Sequence, residues 1–105
     1  MRSKYIDVMS PKLKKILTKL GSDISVSRRK RSLSVDLMCQ RTCISKQTYL
    51  RIESGDPTVS LGALAMTLFA LGEEERLSNL IDVATDDTGL LLDIENLPKR
   101  IRSCQ

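Results

Sequence analysis

Four serines set the frame of this chain. Ser10, Ser34, Ser45 and Ser60 each stand directly before a stretch whose apolar residues recur every three or four positions. A serine hydroxyl at such a place accepts an otherwise unpaired N–H of the first helical turn, and the recurrence is the period of one helix face. The combination predicts a succession of short helices. After Ser10, Pro11 brings the fixed φ that suits a first helical position, and Leu13, Ile16, Leu17, Leu20 and Ile24 form one stripe. Gly21 either divides that stretch into two helices or is carried within one that runs to about Arg31. Ser34 opens a helix with Val35, Met38, Cys39 and Thr42 on one face. Ser45 opens another that runs to about Glu53 and stops before Gly55, where a left-handed residue is easy. Asp56-Pro57 is a turn. Ser60 opens a fourth helix with the face Leu61, Leu64, Leu68 and Leu71, ending at Gly72.

Beyond this point Glu73, Glu74 and Glu75 suit a helix N-terminus, where the helix dipole favours anions, and Leu77, Leu80, Ile81 and Ala84 continue that helix inward. Asp86-Asp87-Thr88-Gly89 ends it. Aromatic residues make up 3 % of the chain and Trp is absent, so the core is expected to be aliphatic. No segment reads as a strand and no internal repeat is present. The expected organisation is a frayed segment over residues 1–9, one all-α domain of five to six helices over 10–84, and a tail over 85–105. That tail holds Leu90-Leu91-Leu92, Ile94 and Leu97, followed by the basic Lys99-Arg100-Ile101-Arg102. It is read as a dimerisation or partner-binding segment.

No stretch reaches the ~20 apolar residues of a membrane span, and the N-terminus alternates charged and apolar residues too early for a secretion signal. A cytoplasmic location is expected. Three cysteines (Cys39, Cys43, Cys104) and no histidine fall short of the four ligands a closed zinc site wants, so reduced thiols and no metal are expected. No glycine-rich phosphate loop and no nucleophile with a base appear, and the carboxylates are scattered. The chain is therefore read as a non-enzyme without cofactor.

Charge is distributed unevenly. Residues 1–55 carry 13 Lys or Arg against 4 Asp or Glu, a net +9, whereas residues 56–105 carry 4 against 9, a net −5. A basic half suits a polyanion and an acidic half suits some other surface. The chemistry concentrates between Leu33 and Gly55. Two short serine-capped helices flank a corner at Thr42-Cys43-Ile44, with the small Cys39 where two helix axes pass and the apolar Ile44 just after the corner. This is the pattern of a helix-turn-helix, whose second helix enters the major groove of DNA. Tyr49 and Ile52 join Ile44 on the inner face of that helix, and Lys46, Gln47 and Arg51 lie on the outer one. Gln pairs with adenine bidentately, and Arg or Lys with guanine, so these three are candidates for base contacts. Candidates for the DNA backbone are Arg28, within the run Arg28-Arg29-Lys30-Arg31, and the helix-start residues Ser34, Ser45, Thr48 and Ser60.

The segments Ser34-Val35-Asp36, Thr42-Cys43-Ile44-Ser45, Arg51-Ile52-Glu53-Ser54-Gly55 and Ser60-Leu61-Gly62-Ala63-Leu64, together with Thr48, resemble the phage-repressor-like (Cro-type, or XRE) DNA-binding domain over roughly Leu20 to Leu71. The resemblance implies base contacts at Lys46, Gln47 and Arg51 and a backbone contact at Arg28. It also implies a homodimer on operator DNA. Two positions depart from the pattern: Val35 stands where the family often has Gln, which implies one phosphate or base contact fewer, and Cys43 where it usually has Gly, which implies either a non-glycine residue at positive φ, at some cost in energy, or a slightly re-shaped turn. A narrower likeness runs through Gly55-Asp56-Pro57-Thr58-Val59-Ser60-Leu61-Gly62-Ala63-Leu64, Phe69-Ala70-Leu71-Gly72, Asp86 to Leu90 and Leu97 to Arg102. These segments are similar to HipB-type antitoxins, small repressors that bind their own operator and complex a HipA- or HipT-type kinase toxin. A dimeric regulator without a toxin partner is the alternative reading.

Overall fold

Each of the four serines caps a helix. In the computed structural model, which describes residues 4–85, the Ser10, Ser34, Ser45 and Ser60 hydroxyl oxygens accept the N–H of Leu13 (3.1 Å), Leu37 (3.0 Å), Thr48 (3.2 Å) and Ala63 (3.0 Å). The helices are α1 (Lys4–Val8), α2 (Pro11–Lys30), α3 (Val35–Thr42), α4 (Lys46–Glu53), α5 (Leu61–Ala70) and α6 (Glu75–Ser78), followed by a 3-10 turn at Val83–Thr85. There is no strand among the described residues. None of these helices is long and apolar enough to cross a membrane. The chain divides into two compact units, Met1–Glu74 and Glu75–Gln105.

In the first unit α2 packs on α4, α3 packs on α4 and α5, and α4 touches α5. The centre is Ile24, Met38, Tyr49, Ile52 and Leu71, all buried, with Leu33, Val35, Cys39, Ile44, Val59, Ala63, Leu64 and Ala70 packed around them. Tyr49, one of the few aromatic side chains, is fully enclosed at the middle of an otherwise aliphatic core. Thr42 and Thr67 are also buried, and each directs its hydroxyl back to the carbonyl four residues earlier, Met38 (2.7 Å) and Ala63 (2.9 Å). A buried hydroxyl satisfied in this way avoids the cost of an unpaired polar group.

Several expectations change here. Of the two readings of Gly21 the single helix holds, with α2 running through it to Lys30 and an Arg31 cap. Gly21 is the point of closest approach to the end of α4, where a Cβ would lie 2.5 Å from the Glu53 carbonyl oxygen and 2.6 Å from the Gly55 nitrogen. Gly55 meets α2 just as tightly and sits at φ 78°. The two glycines thus let the backbones cross in contact. Of the predicted α2 stripe only Ile24 is buried; Leu13, Ile16 and Leu20 stay exposed because a 20-residue helix extends well past the eight-residue α4 that covers it. Leu61, expected on the inner face of α5, is 72 % exposed and lines a cleft of about 250 Å³ with Leu17, Leu20, Pro57 and Leu64. Leu71, expected on that face, is buried as the cap residue and Leu64 packs against the core, while Thr67, not expected there, is the buried residue within α5.

Residues 4–8, expected to fray, form the short helix α1, and the Tyr5 hydroxyl donates to the Pro57 carbonyl at 3.4 Å. In the second unit the acidic start produces only the four-residue α6, and Leu80 and Ile81 are exposed rather than turned inward. The predicted tail over 85–105, with its leucine cluster, basic end and Cys104, lies outside the described residues apart from the backbone of Thr85.

Candidate nucleic-acid interface

The corner between α3 and α4 is made by Cys43, which adopts φ 57° and ψ 32°, the left-handed conformation, one of the two outcomes expected at this position. An L-residue there is strained relative to glycine, so the surrounding packing has to impose it. Thr42 on one side is anchored to Met38, and Ile44 on the other enters the core. Ser45 then caps α4 and also donates its own hydroxyl to Thr48 Oγ1 at 3.0 Å. The caps at Ser34, Ser45 and Ser60 each serve one N–H and leave the first two N–H groups of α3, α4 and α5 without an intrahelical partner. Such groups attract anions.

Helix α4 has two unlike faces. Tyr49 and Ile52 are buried, and Glu53 is held beneath the helix by two neighbours. The Tyr49 hydroxyl donates to Glu53 Oε2 at 2.5 Å, and Arg28 Nε donates to the same oxygen at 2.7 Å. Arg28 Nη1 also reaches the Leu33 carbonyl at 2.8 Å. The Arg28 and Glu53 side chains are each 12 % exposed. Burial alone pushes the Glu53 carboxyl up, but the hydrogen bonds from Arg28 and Tyr49 outweigh it and hold the group below its ordinary value. Burial and the bond to Glu53 together push the Tyr49 phenol up. The hydrogen bond to Glu53 likewise raises Arg28, against a smaller opposing effect of burial. Arg28 was expected on a phosphate. In the folded chain its guanidinium ties α2 to α4 and to the loop before α3.

The opposite face of α4 presents Lys46, Gln47, Leu50 and Arg51. These positions fall within about 140° of the helix circumference at 3.6 residues per turn. Lys46 lies 3.8 Å from Asp36 at the start of α3, a pair so exposed that it constrains little. Leu50, 46 % exposed, shares this face, and its i+4 spacing from Lys46 is the sequence signal for it. Arg51 is held at its flank. Its Nε donates to Asp56 Oδ2 at 3.0 Å and its Nη2 donates to Thr58 Oγ1. The Thr58 hydroxyl in turn donates to Asp56 Oδ1 at 2.5 Å, and the Thr58 N–H reaches the same oxygen at 2.7 Å. The hydrogen bonds from the Thr58 hydroxyl and N–H, and then from Arg51, pull the Asp56 carboxyl down to about 2. Asp56-Pro57 thus does more than turn the chain, since Asp56 also holds Arg51 and Thr58.

No group of three or more metal-ligating side chains occurs among the described residues, with Cys39 half-buried and Cys43 exposed. Comparison of the chain with family models, with curated proteins and with solved structures finds no match.

Proposed function

We propose that this chain is a sequence-specific DNA-binding regulator that inserts α4 into the major groove. The observation that carries the reading is the outer face of α4, where Lys46, Gln47 and Arg51 stand together on a helix locked from behind by Tyr49, Ile52 and the Arg28–Glu53 bond. Their donors and acceptors match base edges, and each good bidentate pair is worth ~1–3 kcal/mol of discrimination. Thr48 and the capping serines Ser34, Ser45 and Ser60 frame that face with helix N-termini suited to phosphates. The strained corner at Cys43 supports the reading, since it sets the angle between a supporting helix and a reading helix. The unit from Leu20 to Leu71 is the part that resembles the phage-repressor-like helix-turn-helix domain.

The narrower role we propose is that of a HipB-type antitoxin, dimeric on its operator and in complex with a kinase toxin. It rests on the likeness of Gly55 to Leu64 and of the tail, and on the apolar side chains Leu13, Ile16, Leu61 and Phe69 that this chain leaves exposed. A gel-shift titration against DNA from upstream of the chain's own gene tests the first part. Tight binding lost in the Gln47→Ala/Arg51→Ala double variant supports it, and weak, salt-sensitive binding indifferent to the substitutions overturns it. Co-purification with a larger kinase encoded beside the gene tests the second. A protein that purifies alone from cells expressing both leaves the regulator without the toxin partner.

A further inference from the structure

The Asp56–Thr58 pair does more than close a turn. Arg51 offers five N–H groups in one plane, on two edges: a side edge made by Nε and Nη2, and an end edge made by Nη1 and Nη2. Asp56 Oδ2 and Thr58 Oγ1 occupy the side edge, and Thr58 is itself fixed to Asp56 Oδ1 through both its hydroxyl and its N–H. The result is a closed ring of hydrogen bonds rooted in the turn after α4. The turn is in turn anchored by Gly55, pressed against α2, and by the Asp56 N–H, which donates to the Arg51 carbonyl at 3.0 Å. The guanidinium is therefore oriented before any ligand arrives, with its end edge left as the pair of donors. Two parallel N–H groups at fixed spacing are what the O6 and N7 acceptors of guanine require.

We propose that Asp56, assisted by Thr58, is the positioning residue for Arg51, and that this clamp makes position 51 selective for guanine rather than a general cation for phosphates. The inference rests on the reading of α4 as the DNA-reading helix. A free arginine at the same place would have many rotamers and would answer to any nearby negative charge. A clamped one has a single presentation, at the cost of placing a carboxylate beside a polyanion. The clamp thus trades affinity for discrimination.

The test is a comparison of two duplexes. One is selected from a randomised 20-base-pair pool by the unaltered full-length chain. The other has the same composition in scrambled order. Asp56→Asn retains the shape but offers one carbonyl oxygen where Arg51 and Thr58 need two. The expected result is a loss of tenfold or more in the affinity ratio between the duplexes, with the scrambled duplex bound at least as tightly as before. Thr58→Val, which keeps the carboxylate, is expected to lose a smaller part of the ratio. Replacing the guanine that Arg51→Ala no longer distinguishes is expected to matter little once Asp56 is Asn. A ratio unchanged in both variants, or equal losses on both duplexes, overturns the positioning role while leaving the α4 reading intact. Failure of the unaltered chain to enrich any sequence overturns both, and is distinguished by that first step. Should Asp56→Asn lose its helical circular dichroism, the Thr58→Val ratio decides alone.

Discussion

The two faces of α4 treat the same side chain in opposite ways. Behind the helix, Arg28 meets Glu53 with both side chains almost out of solvent and donates to a backbone carbonyl as well, so its charge serves to join α2 to α4. In front, Arg51 is braced by Asp56 and Thr58 along one edge, and its side chain as a whole is 39 % exposed. Sequence shows two arginines near one helix; only the carboxylate that each one finds separates the enclosed cation from the one proposed to read DNA. Glu53 is 25 positions from Arg28, whereas Asp56 is five from Arg51. The inner pair stabilises by replacing water with fixed partners, and the outer one by limiting how the donors can be presented.

The sharpest way to break this division is to force the inner side apart. Gly21→Ala would put a methyl group against the Glu53 and Gly55 backbone, which cannot retreat as a side chain can. A loss of about 3 kcal/mol or more in unfolding free energy is expected, read from the denaturant midpoint, and operator binding should fall with it. Arg28→Ala comes next. Removing one partner leaves the Glu53 carboxylate largely out of solvent without its counter-charge, still held by the Tyr49 hydroxyl, and a loss of about 2–3 kcal/mol is expected. Here DNA binding should be recovered at low temperature, where the fold is restored, if the Arg28 guanidinium is spent on Glu53 and the Leu33 carbonyl rather than on a phosphate. An Arg28→Ala protein that is fully folded but unable to bind would return that residue to the DNA backbone.

Outer-face substitutions should behave in the reverse manner. Gln47→Ala or Arg51→Ala should each cost ~1–3 kcal/mol of binding to the cognate duplex, with unfolding free energy changed by less than about 0.5 kcal/mol for Gln47→Ala. A change of stability without a change of binding would place these residues on the wrong side of the comparison.

The two carboxylates give a pH test. Glu53 and Asp56 both titrate lower in the folded chain than their ordinary values of 4.5 and 3.8. A depressed carboxylate stabilises the fold above its unfolded value, and that contribution fades as pH falls toward and through the folded one. Stability is therefore expected to be level above about pH 5 and to decline from there toward pH 2. The decline should be shallower in Asp56→Asn. A profile in that variant identical to the unaltered protein's would show that Asp56 gains nothing from its partners. The smallest effect belongs to Asp36→Asn. The exposed pair with Lys46 should contribute under about 0.5 kcal/mol to stability, while loss of a negative charge beside the reading face should raise DNA affinity slightly.

Much of this arrangement was legible in the residues. The four serine caps and the faces Met38–Thr42 and Tyr49–Ile52 follow from local rules acting over a few positions, whereas the left-handed corner at Cys43 is one of the two outcomes that the family resemblance implies. What escaped was set by contacts distant in sequence. The leucine stripe of α2 shows which side is apolar but not how far α4 extends to cover it. Gly21 carries the signal of a helix breaker, and only the crossing of Gly55 turns it into a contact point. The basic run around Arg28 looks solvated until Glu53 is brought beneath it. Leu80 and Ile81 keep helical spacing, yet α6 ends at Ser78 and both remain exposed.

The most direct test of the central claim is a map of backbone amide shifts on titrating the labelled chain with its selected duplex. The account predicts large changes from Ser45 to Arg51, with smaller ones at the starts of α3 and α5, and little change along the exposed Leu13–Leu20 side of α2. Changes centred on that α2 side, with α4 silent, would contradict it.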